Sequence, residues 1–223
     1  MNLCLFDLDH TLIPLDSDHA WGEHMLRLGW VETDEFRRAN DAFYVQYQAG
    51  TLDIHEYIEF ATRAWRGRPA AELAAAQAGF MREVIAPAML PAAIALVRDH
   101  QARGDLVAIV TATNEFVTTP IARAFDVPHL LAVELERGPA GNITGRIHGT
   151  PSFRDGKTAR TREWLAGLGR SLQDFERISV YSDSPNDLPL LECATDPVAT
   201  NPSPTLETLA RERGWRVLQL FTQ

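Results

Sequence analysis

The chain has 223 residues, 45% of them hydrophobic and 23% charged, with a formal net charge of -9. That length buries a substantial core and allows either one large domain or a core with a subsidiary one. The composition excludes extensive disorder, and the acidic balance excludes a nucleic-acid-binding surface, which needs a basic stripe. An anionic ligand would need a local cation to offset the field. No run reaches membrane-spanning length, so no membrane partner is expected. The first apolar run begins almost at Met1, without the charged start, apolar stretch and cleavage site of a signal peptide. Cys4 and Cys193 have neither metal-ligand nor CxxC spacing and read as reduced core residues, so a cytoplasmic protein is expected.

Leu3-Cys4-Leu5-Phe6 reads as a short strand buried on both faces, as in a parallel sheet, and Asp7 and Asp9 stand where it ends. Ligands in open α/β sheets bind at the carboxyl ends of strands, so both acids lie where such a fold does its chemistry. After Leu12-Ile13-Pro14 the pattern turns helical for about seventy residues. Ser17 and Asp18 can cap a helix carrying Trp21, Met25 and Leu28, which Gly29 closes. Thr33 and Asp34 open a second helix with Phe36, Phe43, Tyr44 and Tyr47, ending at Gly50. Asp53 and Glu56 have capping-box spacing before a third helix with Tyr57, Ile58 and Trp65. Pro69 suits the first turn of a fourth, with Leu73, Phe80 and Val84. The aromatic residues Trp21, Phe43, Tyr44, Tyr57 and Trp65 read as helix-packing core rather than as a ligand cage.

From Pro91 the alternation of strand and helix resumes. A helix to Arg103, stopped by Gly104, precedes a strand from Leu106 to Thr111, and a helix interrupted by Pro120 follows to Phe125. Leu130 to Leu135 and Ile143 to Ile147 flank a Gly-Pro-Ala-Gly-Asn turn region and predict a hairpin appended to the sheet; the Asn142-Ile143-Thr144 sequon falls in that turn. Lys157 opens a helix with Trp164 and Leu165. Ile178 to Tyr181 is the next strand, and its exit carries Ser182-Asp183-Ser184-Pro185-Asn186-Asp187. Asp196 to Thr200 and Trp215 to Leu220 complete the sheet around a helix capped by Ser203, with Pro204 in its first turn and Gly214 as its stop. The expected fold is α/β: a doubly wound parallel sheet with right-handed crossovers and an inserted small α-helical unit.

Asp7-Leu8-Asp9-His10-Thr11, the apolar run ending in Thr111, Lys157, and Asp183 with Asp187 resemble, in this order, the four motifs of the haloacid dehalogenase superfamily. The continuation Asp187-Leu188-Pro189-Leu190-Leu191 resembles its phosphoserine phosphatase-like branch. Singly, each piece has a plain structural reading as a strand-end turn, a helix cap or a surface charge. Jointly, at strand ends and in this order, they do not.

The resemblance implies a Rossmann-like catalytic core of residues 1–13 and 88–223 and a helical cap of residues 14–87. The cap would move about Ile13-Pro14-Leu15 and Ala86-Pro87-Ala88. It further implies an Mg²⁺-dependent phosphomonoester hydrolase acting through an aspartyl-phosphate. In that family pattern Asp7 is the nucleophile and Asp9 carries the proton. Mg²⁺ is held by Asp7, the backbone carbonyl of Asp9 and Asp183, with Asp187 orienting the outer shell. Lys157, the Thr111 hydroxyl and the Ala112 amide hold the phosphoryl oxygens, and Asn186 contacts phosphate or leaving group. Elementary chemistry accords with these roles. A hard cation takes oxygen ligands, and Asp9 must be protonated for the first step, so a raised pKa is expected.

Gly156-Lys157-Thr158 resembles the end of a P-loop, but Pro151 takes the place of the first glycine. A dehalogenase on this fold would lack the second acid at Asp9. The histidines have no ligand spacing, and His10 reads as a loop residue. In phosphoserine phosphatases an acid shortly after the first motif receives the substrate ammonium, a place Asp16 matches; Asp16 reads equally as a helix cap. Their carboxylate-binding Arg falls near Glu59-Phe60-Ala61, where this chain has none, and Arg63 and Arg66 are displaced. The resemblance therefore points to a small phosphorylated metabolite that bears an amine and lacks a carboxylate, such as histidinol phosphate, phosphoethanolamine or phosphocholine. A phosphotransferase or mutase, and a non-catalytic ligand-binding member of the fold, are the alternatives.

Overall fold

The computed structural model describes residues 1–221. It opens with β1 (Leu3–Phe6), then α1 (Ser17–Arg27), α2 (Thr33–Ala49), α3 (Ile54–Arg63) and α4 (Ala70–Phe80). A π-helical turn over Met81–Ile85 carries α4 directly into α5 (Ala86–Ala88). There follow α6 (Pro91–Ala102), β2 (Leu106–Asn114), α7 (Glu115–Ala124), β3 (His129–Val133), β4 (Leu135–Arg137), β5 (Ile143–Ile147) and α8 (Asp155–Gly167). The chain ends with β6 (Ile178–Ser182), α9 (Leu188–Leu191), β7 (Asp196–Thr200), α10 (Pro204–Glu212) and β8 (Arg216–Leu218).

Among the described residues the main sheet has six strands in the order β3-β2-β1-β6-β7-β8, all parallel. Alternate side chains feed two separate cores, as the two-residue period of a strand requires. Cys4, Phe6, Val107, Ile109 and Tyr181 enter one core with Ala93 and Val97 of α6 and Val117 and Ile121 of α7. Leu3, Leu5, Ala108, Val110 and Val180 enter the other with Leu165, Leu190, Leu191, Leu206 and Ala210 of α8, α9 and α10. Helices thus cover both faces, and β1 lies at the centre where the strand order reverses between β2 and β6. A crevice opens at the carboxyl ends of such strands. Asp7, Asp9 and Asp183 leave β1 and β6 at that edge.

The structure revises several local expectations. Asp16, not Ser17 or Asp18, caps α1, its carboxylate accepting from the His19 amide at 2.7 Å. The apolar run Leu130 to Leu135 divides at Glu134: its first part is an edge strand of the main sheet, and only Leu135–Arg137 pairs with β5 in the hairpin. Strand β2 runs on through Thr113 to Asn114, and Trp65 lies beyond the end of α3. Pro87 stays helical, and the chain turns after Ala88, with 91° between Ala70–Ala88 and Pro91–Ala102. No single helix among the described residues is long and apolar enough to cross a membrane.

Pro120 sits inside α7 without ending it. Proline lacks the N–H that would reach the carbonyl four residues earlier. That carbonyl, on Phe116, accepts instead from Gln77 Nε2 of α4 at 2.5 Å. The orphaned acceptor is satisfied by a side chain from the inserted helices, which ties α4 to α7 at the proline.

Candidate active site

Lys157 and the acids at the strand ends form one buried cluster. Lys157 Nζ donates to Asp7 Oδ1 and to Asp187 Oδ2, both at 2.7 Å, and only 1% of the residue is exposed. Burial alone would favour the neutral amine, but Asp187 and Asp7 outweigh it and hold Lys157 protonated. The entry to α8 that delivers this lysine depends on Gly156. A Cβ there would lie 2.0 Å from the Pro151 carbonyl oxygen, so only glycine lets the loop turn so tightly. Ser152 pins the same loop by donating to the Leu131 carbonyl at 2.9 Å.

Thr11 ties β1 to β6. Its hydroxyl donates to Asp7 Oδ2 at 2.9 Å, accepts from the Asp183 amide at 3.1 Å and lies 3.4 Å from Asp183 Oδ1. Asp183 is pushed well above the usual carboxylate range by burial and by the neighbouring Asp7 and Asp187 charges. Burial also raises Asp187, against the pull of Lys157. Asp187 Oδ2 accepts from Ser182 Oγ at 2.7 Å, whereas its Oδ1 is buried without a partner.

Three carboxylates therefore face one ammonium in a low-dielectric setting, and an acceptor is left over. An oxygen-only donor set with surplus negative charge fits a hard divalent cation. No cage of three acidic, imidazole or thiol side chains forms among the described residues, so a cation here would draw on two carboxylates together with backbone or water oxygens.

Asp9 lies apart from Lys157, on the side toward the inserted helices. Its Oδ1 accepts from the Ser17 amide and its Oδ2 from the Thr113 hydroxyl, both at 2.8 Å. Burial, then the Asp16 charge, push it up to about 6 despite these bonds. Thr111 is buried, and its hydroxyl accepts from the Thr113 amide at 3.2 Å.

Asp9 lines a narrow cleft of about 30 Å³ between the sheet edge and helices α1 to α3. Asp16, Asp18, Phe43, Tyr44, Tyr47, Tyr57 and Ala112 also line it. The aromatic residues thus divide: Trp21 and Trp65 are core, packed against Phe80 and Phe116, while Phe43, Tyr44 and Tyr57 wall the cleft. Phe43 and Tyr57 pack against the core as expected and also line the cleft, with Tyr44 beside them.

Asn186 follows Asp183 at the exit of β6. Its amide donates to the Tyr47 carbonyl at 3.1 Å and so bridges the sheet edge to α2. No arginine lines the cleft. Arg66 donates to the Thr144 carbonyl at 3.0 Å, and Arg63 lines a separate groove with Trp30 and Phe36. His10, at φ 56, places its ring 3.0 Å from the Tyr44 hydroxyl.

Sequence reasoning missed Thr113, Ser17, Asp18 and Asn114. Thr113 is two residues beyond Thr111 on an extended strand, so it shares that residue's face; this was the available signal. The others come together only through the inserted helices.

A doubly wound sheet with Asp7, Asp9, Lys157 and Asp183 gathered at its switch point defines the class. The haloacid dehalogenase-like hydrolase family matches residues 4–192, and the chain belongs to it. Relatives in that family with named activities are phosphatases, and this chain is a phosphatase of the same class.

The chain is 42% identical over 217 residues to a histidinol-phosphatase of Neisseria meningitidis, an alignment covering 97% of this chain and 98% of that protein. A phosphoserine phosphatase of Mycobacterium tuberculosis is 30% identical over 95% of this chain and 68% of its own length. Among solved structures, a Bordetella pertussis protein of unknown function superposes with a TM-score of 0.93 at 51% identity, over 99% of both chains. A substrate-bound phosphoserine phosphatase superposes with a TM-score of 0.67 at 16% identity, over 97% and 92% of the two chains, and shares the fold.

Proposed function

We propose that this chain is an Mg²⁺-dependent phosphomonoesterase whose substrate carries positive charge and no carboxylate, with histidinol phosphate as its chemistry. The observation that carries this reading is the cleft beside Asp9, with three acids and aromatic walls and no arginine. Such a lining, whose His19 is already paired with Asp41 and whose Asn40 donates to the His19 carbonyl, favours an amine or imidazole over a carboxylate. The likeness to a histidinol-phosphatase supports the same substrate.

Asp7 attacks phosphorus, and the P–O bond to the substrate breaks as the ester oxygen takes the proton of Asp9. Asp9, now a carboxylate, accepts a proton from water as that water attacks the phosphorus of the aspartyl-phosphate and releases Asp7. Lys157, Thr111 and the Ala112 amide neutralise and orient the phosphoryl oxygens. Asp7, Asp183 and the Asp9 carbonyl would hold Mg²⁺, which when bound supplies charge neutralisation at the phosphoryl group. Residues 14–87 act as a cap that excludes water until the phosphoenzyme has formed.

The test is kcat/KM for histidinol phosphate, O-phosphoserine and 4-nitrophenyl phosphate in the presence of Mg²⁺. Histidinol phosphate should lead by roughly tenfold or more, the scale of one charge-assisted contact. Parity among the three, or a lead for O-phosphoserine, would remove the substrate assignment.

The metal site has a test that does not depend on turnover. A ligand that binds only the folded state stabilises it by about 2.7 kcal/mol at a hundred times its Kd. Mg²⁺ should therefore raise the wild-type Tm and leave that of Asp183→Asn unmoved. An equal rise in both proteins would show that Asp183 does not hold the ion.

A further inference from the structure

We propose that Asp18 determines specificity by accepting a hydrogen bond from a second, distal N–H group of the substrate, the imidazole in the case of histidinol phosphate. The inference rests on the substrate reading above and extends it from one cationic contact to two.

Asp18 lines the cleft yet is only 5% exposed, and its two oxygens are unlike. Oδ1 accepts from Asn114 Nδ2 at 3.1 Å, whereas Oδ2 is buried without a partner. A buried acceptor left unpaired costs about 1–3 kcal/mol, more when it is charged, so such a group calls for a donor.

Its orientation is fixed from the sheet. Asn114 ends β2 and caps α7, with its Oδ1 accepting from the amides of Phe116 and Val117 at 3.1 and 3.3 Å. Those bonds leave the Asn114 amide group free to bond Asp18, so Oδ1 is held and the buried Oδ2 stays unpartnered at the wall of the cleft. Tyr57, from α3, adds a hydroxyl neighbour that favours the ionised form.

The order of the acids along the cleft assigns the donor. Asp16 caps α1 and precedes Ser17, whose amide bonds Asp9 Oδ1. Asp18 bonds Asn114, one residue further along β2 than the Thr113 that bonds Asp9, and so lies beyond Asp9 in the cleft. In histidinol phosphate the ammonium-bearing carbon is next to the ester CH₂, while the imidazole is one carbon further out. A substrate with its ester oxygen at Asp9 therefore sets its ammonium near Asp16 and its ring toward Asp18. Burial, with the Asp16 and Asp9 charges, pushes Asp18 up to about 8, so an incoming cationic ring displaces the carboxyl proton to solvent as it binds. Lys157 cannot supply that charge, being committed to Asp7 and Asp187.

The test compares wild type, Asp16→Asn and Asp18→Asn by kcat/KM on histidinol phosphate, phosphoethanolamine and 4-nitrophenyl phosphate. Phosphoethanolamine keeps the ammonium and lacks the ring. The loss in Asp18→Asn should be at least tenfold greater on histidinol phosphate than on either other substrate, whereas Asp16→Asn should lose on both amines. Inhibition by histidinol, the dephosphorylated alcohol, should weaken about as much in Asp18→Asn. Equal loss on all three substrates would make Asp18 a support for Asn114 and Tyr57 and overturn the inference. Equal loss on the two amines would assign it to the ammonium and overturn it as well.

Asp18→Ser, judged by the same ratios, serves if the Asn variant does not fold. A wild type that fails to prefer histidinol phosphate over the aryl phosphate sinks the substrate reading itself. A preference that survives Asp18→Asn sinks only the role of Asp18.

Discussion

Asp7→Asn should lose at least about a thousandfold in kcat on every phosphomonoester, because an amide cannot supply the anionic oxygen that attacks phosphorus. The fold should persist. Lys157 keeps its second partner, Asp187, at 2.7 Å, so its ammonium is not left unpaired in the interior. The Thr11 hydroxyl can still donate to the carbonyl oxygen of the substituted amide, and the repulsion between positions 7 and 183 falls. Matched far-ultraviolet circular dichroism and Tm, alongside the rate, separate loss of chemistry from loss of structure. Substantial turnover by folded Asp7→Asn would remove Asp7 as the nucleophile.

Asp9→Asn should fail differently, and the difference depends on the leaving group. An alkoxide needs a proton as it departs, so the loss on histidinol phosphate should be roughly a hundred- to ten-thousandfold. A 4-nitrophenolate leaves unaided, so formation of the phosphoenzyme from the aryl ester should suffer less while its hydrolysis slows. The aspartyl-phosphate should then accumulate.

The pH profile follows from the same position. Burial and Asp16 raise Asp9 to about 6, so its acid form persists to higher pH than an ordinary carboxyl and is lost as pH climbs through that value. In wild type, kcat/KM on the alkyl substrate should decline above about pH 6, with a shallower decline on the aryl ester. Comparing wild type with Asp9→Asn on each substrate removes the contribution of phosphate ionisation. Identical profiles for both proteins would show that Asp9 is not the donor.

Much of this arrangement is legible in the sequence because its parts are local. A buried strand of four residues cannot carry Asp7 and Asp9 in its interior, so the acids mark its end. Gly156 beside Lys157 marks a tight entry to a helix, and Ser203-Pro204 marks another. What stays hidden depends on long-range contacts. Thr113 reaches Asp9 across 104 residues and Asn114 reaches Asp18 across 96, and neither pairing leaves a periodic trace.

Two errors have local causes. Leu130 to Leu135 reads as one strand because a single Glu134 is too small a break to divide it. Pro120 reads as an interruption because the Gln77 side chain that replaces its missing N–H comes from another helix. The aromatic residues of α2 and α3 pose a different problem: helical periodicity says which face is apolar, but not whether a neighbour or a cleft covers it.

The division of labour between Asp7 and Asp9 converges on a covalent intermediate, and trapping it is the most direct test. Enzyme turning over 4-nitrophenyl phosphate at steady state is quenched in acid, reduced with borohydride and digested. Reduction of an aspartyl-phosphate converts that residue to homoserine. Peptide mass mapping should find homoserine at position 7 in wild type, more of it in Asp9→Asn, and none without substrate. Homoserine at another aspartate, or continued turnover with no modified residue in either protein, would contradict the account.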